Sequence, residues 1–300
     1  MFSEICAELC DYFAENGLSV YDEESGEGLL RHIYLRRAEV TGEILLTLVI
    51  NGTALPFPDR LTERITKKFP EVVGILLNEN TENTNVVLGE RFITVFGRDY
   101  VYDLLSGVRL KITAPSFYQV NHDGAELLYA KARELAAPTK DDVLLDLYCG
   151  AGSIGLSMAR DVKELYGVEI VESAVECAKE NAAENGIKNA YFYTGDAKNT
   201  ERLLENAEKA LGKKITPDII ILDPPRAGCD EALVNFVSSL SPKRIVYISC
   251  NPKTLARDVA RFIPLGYDTN EVIPVDMFPC TGHVESVVCL TRRLDVDMRR

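Results

Sequence analysis

The chain has 300 residues, almost half of them hydrophobic, and a formal net charge of −13 at pH 7. A chain this long can bury a large core and exceeds the usual size of one domain, so two domains are expected. The sequence shows no run near the roughly 18 apolar residues of a membrane span and no signal segment, which predicts a cytoplasmic protein with no membrane partner. The acidic balance disfavours a general nucleic-acid binder, because phosphate binding draws on Lys and Arg.

Residues 1–115 are predicted to form a β-rich α+β domain. Apolar residues at helical spacing predict a helix over residues 2–16. One further helix is expected near residues 59–69. Short β-rich runs separated by Gly, Asn and Asp predict strands at 44–50, 72–77, 92–96 and 100–105.

Two basic clusters in this domain are candidates for a local surface that contacts nucleic-acid phosphate. They are Arg31, His32, Arg36 and Arg37, and Arg60, Arg64, Lys67 and Lys68. Alternatively, these side chains are charges in contact with water that bind no ligand. The sequence leaves both interpretations open.

Residues 116–300 are predicted to form a doubly wound, seven-stranded Rossmann-like α/β domain. A helix over residues 122–136 ends before Pro138. Apolar strands then alternate with helices, which indicates a parallel sheet covered on both faces. The strands are predicted at 143–147, 164–169, 190–194, 218–223, 244–249 and near 268–275 and 284–291.

A glycine-rich loop, 146-DLYCGAGSIG-155, follows the first of these strands. Its G-x-G-x-x-G spacing alone would suggest a nicotinamide or flavin dinucleotide. However, Asp146 at the strand end would repel a pyrophosphate and attract the methionine ammonium of S-adenosylmethionine. The loop therefore favours S-adenosylmethionine as the cofactor.

Three more acids follow the next strands: Glu169, Asp196 and Asp223. Because the carboxyl ends of parallel strands meet at one edge of a sheet, these acids are expected to converge on one crevice. Glu169 is placed to accept the ribose hydroxyls and Asp196 to accept the adenine amino group. Each acid alone could instead be a helix cap or a turn residue.

The eight cysteines are interpreted as reduced thiols, since the chain is long and lacks a secretory signal. Cys6 and Cys10 lie one helical turn apart, but two thiols are too few for a structural zinc, so no metal site is predicted. Cys250 directly follows a strand and precedes an Asn-Pro turn. Its position before a helix is expected to lower the thiol pKa, although an inert buried cysteine is the alternative.

Four motifs in order resemble the RNA uracil-5 (5-methyluridine) methyltransferase family. They are 146-DLYCGAG-152, 223-DPPR-226, 247-YISCNPKTLARD-258 and 277-MFPCTGHVES-286. Segments 28–37 and 116–121 are also similar to the family, so the resemblance covers nearly the whole chain. It implies S-adenosylmethionine-dependent methylation of C5 of a uridine in RNA.

The resemblance also implies roles for individual residues. A thiolate must add to C6 of uracil so that C5 becomes nucleophilic, and a base must later remove the C5 proton. Cys250 would be the nucleophile and Glu285 the base. Asp223 could bind the cofactor or hold the uracil edge. The resemblance adds Tyr148 and Ser153 as cofactor contacts, and Gln119 as a contact to the cofactor and the target ring, to the cofactor roles already expected for Glu169 and Asp196.

The sequence departs from the family in two respects. Cys280 stands where a histidine is expected, which leaves open any role of that imidazole. Many family members also begin with a β-barrel RNA-binding domain and carry a cysteine cluster for an iron–sulfur centre, and this sequence shows neither.

The segment at 28–37 favours 23S ribosomal RNA over tRNA as the substrate partner, and no protein partner is predicted. A methyltransferase of another substrate and a silent RNA-binding module are the alternatives. The second of these is disfavoured by the intact Cys250 and Glu285.

Overall fold

The computed structural model describes residues 1–293, which separate into two compact units. The first unit comprises residues 1–104 and 111–116. The second comprises residues 105–110 and 117–293. Residues 294–300 lie outside the described part. Within residues 1–293, no helix combines the length and the apolar character needed to cross a membrane.

Residues 1–116 contain two helices and six strands. In chain order these are α1 (Phe2–Glu15), β1 (Leu30–Arg37), β2 (Ile44–Ile50), α2 (Pro58–Lys68), β3 (Val72–Glu79), β4 (Arg91–Gly97), β5 (Tyr100–Leu105) and β6 (Val108–Thr113). The first four strands form one sheet in the order β1-β2-β3-β4. Strand β2 is antiparallel to β1 and parallel to β3, and helix α2 makes the crossover that this parallel pair requires. Strands β5 and β6 form a separate two-stranded sheet.

Strand β2 is the centre of the first core, since all of its residues are buried. Alternate residues such as Leu46 and Leu48 pack with Leu9 of α1 and with Leu61 and Ile65 of α2. The helical spacing of apolar residues in α1 therefore gives it one buried face against this sheet.

The second unit repeats a strand and helix pattern after its first helix. Its elements are α3 (His122–Ala136), β7 (Val143–Leu147), α4 (Ser153–Met158), β8 (Glu164–Glu169), α5 (Glu172–Glu184), β9 (Ala190–Thr194), α6 (Thr200–Leu211), β10 (Ile219–Leu222), α7 (Glu231–Ser239), β11 (Arg244–Ser249), α8 (Pro252–Phe262), β12 (Tyr267–Asp268), β13 (Val272–Val275) and β14 (Glu285–Arg292). The doubly wound α/β fold expected from the sequence is confirmed.

The order of the large sheet is β12-β14-β11-β10-β7-β8-β9, with β13 also paired to β14. Strands β7 to β11 run parallel to their neighbours, whereas β14 runs antiparallel to β11. The sheet has eight strands instead of the predicted seven, because the strand expected near 268–275 is two short ones. Both pair with the same edge of β14, and their registers differ by one residue across the polar segment between them. Eight strands thus occupy seven positions.

Gly167 in β8 is required by close packing on the sheet. It pairs with Asp146 of β7 and Phe192 of β9, and a Cβ added at residue 167 would lie 2.4 Å from the Phe192 ring and 2.9 Å from the Cys149 sulfur. We predict that Gly167→Ala lowers the free energy of unfolding by about 1–3 kcal/mol, because the ring must shift. Urea denaturation measures this.

Gly282→Ala is the matched control, since a Cβ at residue 282 meets no atom within 4 Å. Its free energy of unfolding should stay within about 0.5 kcal/mol of the unaltered protein. Equal destabilisation by the two substitutions would contradict the packing argument.

Candidate active site

Most of the predicted site residues lie at one edge of the large sheet. Parallel strands β7, β8, β9, β10 and β11 end at this edge, and the antiparallel β14 begins there. Such an edge forms a crevice where the strand order reverses, and in this sheet the reversal falls between β7 and β10. The residues at the ends of these strands are Tyr148, Glu169, Asp196, Asp223, Cys250 and Glu285.

Cys250 and Glu285 lie at the same end of the β11–β14 pair. The last residue pair at this end joins Ser249 to Ser286, Cys250 directly follows β11, and Glu285 is the first residue of β14. The thiol is half-buried, whereas Glu285 is only 6% exposed. The antiparallel pairing therefore places a thiol and a carboxyl side by side although they lie far apart along the chain.

Burial and nearby charges shift the pKa values of both groups. Burial raises the pKa of the Cys250 thiol, and the Glu285 carboxylate raises it further, whereas Arg226 lowers it. The prediction that the helix start lowers the pKa of Cys250 is therefore wrong. Burial also raises the pKa of Glu285, which Arg226 partly offsets. A carboxylate with a raised pKa is a stronger base near neutral pH.

Asp223 is the third ionisable group at this position. Burial, with the nearby charge of Glu285, raises its pKa from 3.8 to about 7. Asp223 directly follows β10, between β7 and β11 in the sheet. Its carboxyl can therefore be protonated or charged near neutral pH, which suits either a hydrogen bond to a ring edge or contact with a cofactor.

The turn after Cys250 is held by hydrogen bonds. Asn251 caps α8, because its Oδ1 accepts from the Lys253 N–H at 3.1 Å. Pro252 occupies the first turn of the helix, where its missing N–H has no consequence. The Ser249 hydroxyl donates to the Asn251 carbonyl at 3.1 Å. The thiol thus lies in a turn that is fixed on both sides.

Asp146 holds the glycine-rich loop. It is 0% exposed, and its Oδ2 accepts from the Gly155 N–H at 2.9 Å. A Cβ on Gly155 would lie 2.7 Å from that oxygen, which explains the third glycine of the motif. Its Oδ1 is buried without a hydrogen-bond partner. Burial raises the pKa of Asp146 to about 8, and the charges of Asp223 and Glu169 contribute.

The loop itself follows a left-handed path that glycine permits. Gly150 and Gly152 have positive φ values of 54° and 81°, and Tyr148 adopts 65° without being a glycine. A non-glycine residue in this region costs of order 1 kcal/mol and marks a functional position more often than a random one. Tyr148 is half-buried against the core of the second unit.

Glu169 and Asp196 bind backbone N–H groups. The two oxygens of Glu169 accept from Gly150 at 3.0 Å and from Val171 at 2.9 Å. Asp196 accepts from Lys198 at 3.0 Å at the start of a short helix. Both residues therefore act as the turn or cap acids that the sequence left open as an alternative. Both are also half-buried, and their carboxylates keep lone pairs that a ligand could use.

Ser153 and Gln119 complete the predicted set. Ser153 begins α4, and its hydroxyl lies 2.7 Å from the hydroxyl of the buried Tyr129 in α3. Gln119 is half-buried in the segment before α3. That segment is tied to the motif at 277–286, because Asn121 donates to the Met277 carbonyl at 3.1 Å.

Asp258 was not predicted as a site residue, although it organises the region behind Cys250. It is 0% exposed and accepts from the Cys229 N–H and the Tyr247 hydroxyl, both at 2.8 Å. Arg257 and Arg261 neutralise its charge. The sequence signal was an acid with arginines one residue before and three after it on a helix, which is typical of a charge cluster.

The first basic cluster is occupied by internal hydrogen bonds. The Arg31 guanidinium donates to the carbonyls of Asn80 at 2.7 Å and Glu82 at 2.8 Å. Arg36 donates to the Ser116 carbonyl at 2.8 Å. These two side chains therefore brace the first unit, an interpretation that the sequence did not suggest.

The second basic cluster is partly neutralised. Arg64 and Lys68 of α2 both form ion pairs with Glu8 of α1, and Arg64 also pairs with Glu15. These contacts join the two helices of the first unit. They leave fewer positive charges for a phosphate ligand than the sequence implied.

Metal ligands are not grouped in residues 1–293, where no three His, Cys, Asp or Glu side chains are arranged to hold an ion. None of the eight cysteines, all of which lie in the described residues, forms a disulfide.

The fold and this crevice define the class of Rossmann-like methyltransferases. The family model described as tRNA (Uracil-5-)-methyltransferase matches residues 63–293. The chain belongs to this family. The two sequence motifs that carry the thiol and the carboxyl fall within the matched region.

Relatives and a solved structure agree with this placement. The chain is 45% identical over 278 residues to a Bacillus cereus protein and 42% identical over 290 residues to one from Clostridium acetobutylicum, both named as uncharacterised RNA methyltransferases. These alignments cover 93% and 97% of the chain, but only 59% and 62% of the relatives. The chain thus spans about three-fifths of the length of the curated relatives it matches.

The solved structure is the Pyrococcus abyssi tRNA (uracil-54, C5)-methyltransferase in complex with S-adenosyl-L-homocysteine. It is 29% identical to the chain and superposes with a TM-score of 0.76. The match covers 95% of the chain and 66% of that protein.

The buried charge of Asp146 predicts a pH-dependent stability. The pKa of Asp146 is raised from 3.8 to about 8, so the folded protein holds the carboxyl proton more tightly than the unfolded chain does. The free energy of unfolding therefore falls as pH rises between those values. Asp146→Asn should remove that loss. The variant should gain roughly 1–3 kcal/mol relative to the unaltered protein at about pH 9 and much less at about pH 5.

Chemical denaturation at the two pH values measures the effect. Asp141→Asn, at an exposed position just before β7, is the control and should show no such difference. An Asp146→Asn effect that is the same at both pH values would contradict the buried-charge account.

Proposed function

We propose that this protein methylates C5 of a uridine in RNA with S-adenosylmethionine as methyl donor. The observation that carries the proposal is the β11–β14 register, which brings the half-buried thiol of Cys250 and the buried carboxyl of Glu285 to the same end of the two strands, where the carboxylate raises the pKa of the thiol. Family membership supports it. This pair supplies the nucleophile and the base that C5 methylation requires.

The residues act in a fixed order. The Cys250 thiolate forms a bond to C6 of uracil, and the electron pair of the C5–C6 double bond moves into an enolate whose C5 is nucleophilic. S-adenosylmethionine, when bound, supplies the electrophilic methyl group. Glu285 then takes the C5 proton, the C5–C6 double bond re-forms, and the sulfur leaves as a thiolate.

The cofactor fits the crevice on several grounds. The unpartnered Oδ1 of Asp146 lies beneath the glycine-rich loop, where a cationic ligand would be attracted to it. A dinucleotide pyrophosphate would meet several acids instead. The similar Pyrococcus abyssi enzyme was solved with S-adenosyl-L-homocysteine. The residues proposed to hold the cofactor are Gln119, Tyr148, Ser153, Glu169, Asp196 and Asp223.

The RNA partner proposed first is 23S ribosomal RNA, on the resemblance of segment 28–37 to the family. A tRNA uridine is the second candidate, favoured because the matching family and the similar solved structure are both described as tRNA uracil-5 methyltransferases. Mass spectrometry of nucleosides from separated rRNA and tRNA, prepared from a strain lacking the gene, distinguishes them. The fraction that loses 5-methyluridine is the substrate.

Cofactor choice gives a direct binding prediction. Isothermal titration calorimetry should show binding of S-adenosylmethionine and S-adenosylhomocysteine, and none of NADH. Glu169→Ala should weaken binding at least about tenfold, because two hydrogen bonds to the ribose are lost. Binding of NADH without S-adenosylmethionine would refute the cofactor assignment.

The two reacting residues should fail at different steps. Cys250→Ala should abolish methylation and leave no protein–RNA adduct, because C5 never becomes nucleophilic. In Glu285→Gln the Cys250 thiolate should still add to C6 and the methyl group should still be transferred. Because removal of the C5 proton is slow, turnover should fall by about 100-fold or more and a methylated covalent complex should accumulate. Denaturing gels with labelled RNA would show this complex as a retarded band.

The controls are Cys10→Ala and Glu176→Gln, which change exposed residues of α1 and α5. Both should turn over at the unaltered rate. Methylation by Cys250→Ala, or normal turnover by Glu285→Gln, would end this mechanism.

A further inference from the structure

Arg226 is the last residue of the 223-DPPR-226 turn, and its main chain is fastened to the cysteine turn. Its carbonyl accepts from Asn251 Nδ2 at 3.1 Å and from the Thr254 hydroxyl at 3.2 Å. Both donors belong to the segment that caps and begins α8 just after Cys250. The turn that follows Asp223 and the turn that carries the thiol are therefore held together.

The side chain of Arg226 reaches the third segment of the site. Its Nη2 lies 3.2 Å from Nδ1 of His283, which is two residues before Glu285. Because a guanidinium has no acceptor, Nδ1 must accept and the ring proton must be on Nε2. The His283 ring also packs edge-on against Phe278, with their centroids 6.3 Å apart.

We propose that Arg226 is a positioning residue that links the three strand ends of the active site and keeps a positive charge beside the thiol. Its carbonyl fixes the cysteine turn, and its guanidinium fixes the segment that leads into the base. This inference rests on the proposed function, since that function makes Cys250 the nucleophile. Neither the sequence motifs nor the family names assign this task to the residue.

The charges around Cys250 explain why such a residue is needed. The thiol faces the carboxyls of Glu285 from β14 and Asp223 from the end of β10, and both raise its pKa together with burial. Arg226 opposes them by lowering the pKa of Cys250, and it lowers the pKa of Glu285 as well. Without the guanidinium, the fraction of thiolate at neutral pH falls.

A different role for an exposed arginine is to bind an RNA phosphate. The two roles separate without RNA, because a phosphate contact has no influence on the free enzyme. The reactivity of the Cys250 thiol in the RNA-free protein therefore isolates the positioning role.

The test is the rate of Cys250 alkylation by iodoacetamide across about pH 7 to 10, followed by mass spectrometry of its peptide. Arg226→Gln should move the midpoint upward by about half to one pH unit and slow alkylation near pH 8 by about 3- to 10-fold. Arg226→Lys should move the midpoint upward by a smaller amount than Arg226→Gln, since lysine keeps the positive charge but lacks the planar fork. The exposed Cys10 in the same samples reports general changes in thiol reactivity.

Substitutions of His283 test the link to the base segment. His283→Asn keeps an acceptor near the position of Nδ1 and should retain the unaltered midpoint, whereas His283→Leu removes it and should shift the midpoint in the same direction as Arg226→Gln, by a smaller amount.

An unchanged midpoint in Arg226→Gln would overturn the inference, as would equal shifts in the Gln and Lys variants. If the unaltered enzyme methylates no RNA but Arg226→Gln still shifts the midpoint of Cys250 and not that of Cys10, the proposed function is refuted and the electrostatic role of Arg226 stands. Methylation by the unaltered enzyme with no shift in Arg226→Gln would refute this inference alone.

Discussion

The register between β11 and β14 is the constraint on which the site depends. Side chains alternate between the two faces of a sheet, so a slip of one residue would turn every side chain of β14 to the opposite face and move Glu285 away from Cys250. Val287, Val288 and Leu290 of β14 are all 0% exposed, and the strand is paired on both edges. A slip would therefore cost buried apolar contacts on both faces, and the hydrophobic core keeps the thiol beside the carboxyl.

The accumulation of acids in the crevice has an energetic cost for the folded protein. Burial raises the pKa of Asp146 to about 8, with the charges of Asp223 and Glu169 contributing, and burial with the charge of Glu285 raises the pKa of Asp223 to about 7. Strongly shifted groups of this kind cluster at functional sites. A ligand that carries positive charge would lower this cost, so the protein alone and the protein with a cationic cofactor should differ in the protonation of these acids.

Much of the second unit could be predicted because local signals agree with its tertiary structure. Helix α3 and strand β7 have the predicted bounds, since an asparagine cap, a following proline and a continuous apolar run mark them. Strand β1 was missed as a strand because arginines interrupt its apolar pattern, and two of those guanidiniums bind carbonyls distant in sequence. The direction of the Cys250 pKa shift could not be predicted either, since it depends first on burial of the thiol and then on Glu285 of β14, neither of which the local sequence specifies.

Motif resemblance proposed the reacting pair, but only the structure shows what surrounds it. Asp258 accepts from the Cys229 N–H, Asn251 donates to the Arg226 carbonyl, and the Arg226 guanidinium donates to His283, which no residue pattern specifies. The central claim is that the sulfur of Cys250 bonds to C6 before the methyl group is transferred. RNA containing 5-fluorouridine tests it most directly, because fluorine at C5 leaves no proton for Glu285 to remove and the product cannot leave the enzyme. Peptide mass spectrometry after incubation with S-adenosylmethionine should find a methylated fluorouracil attached to Cys250, whereas attachment to another residue, or methylation with no adduct, would contradict the account.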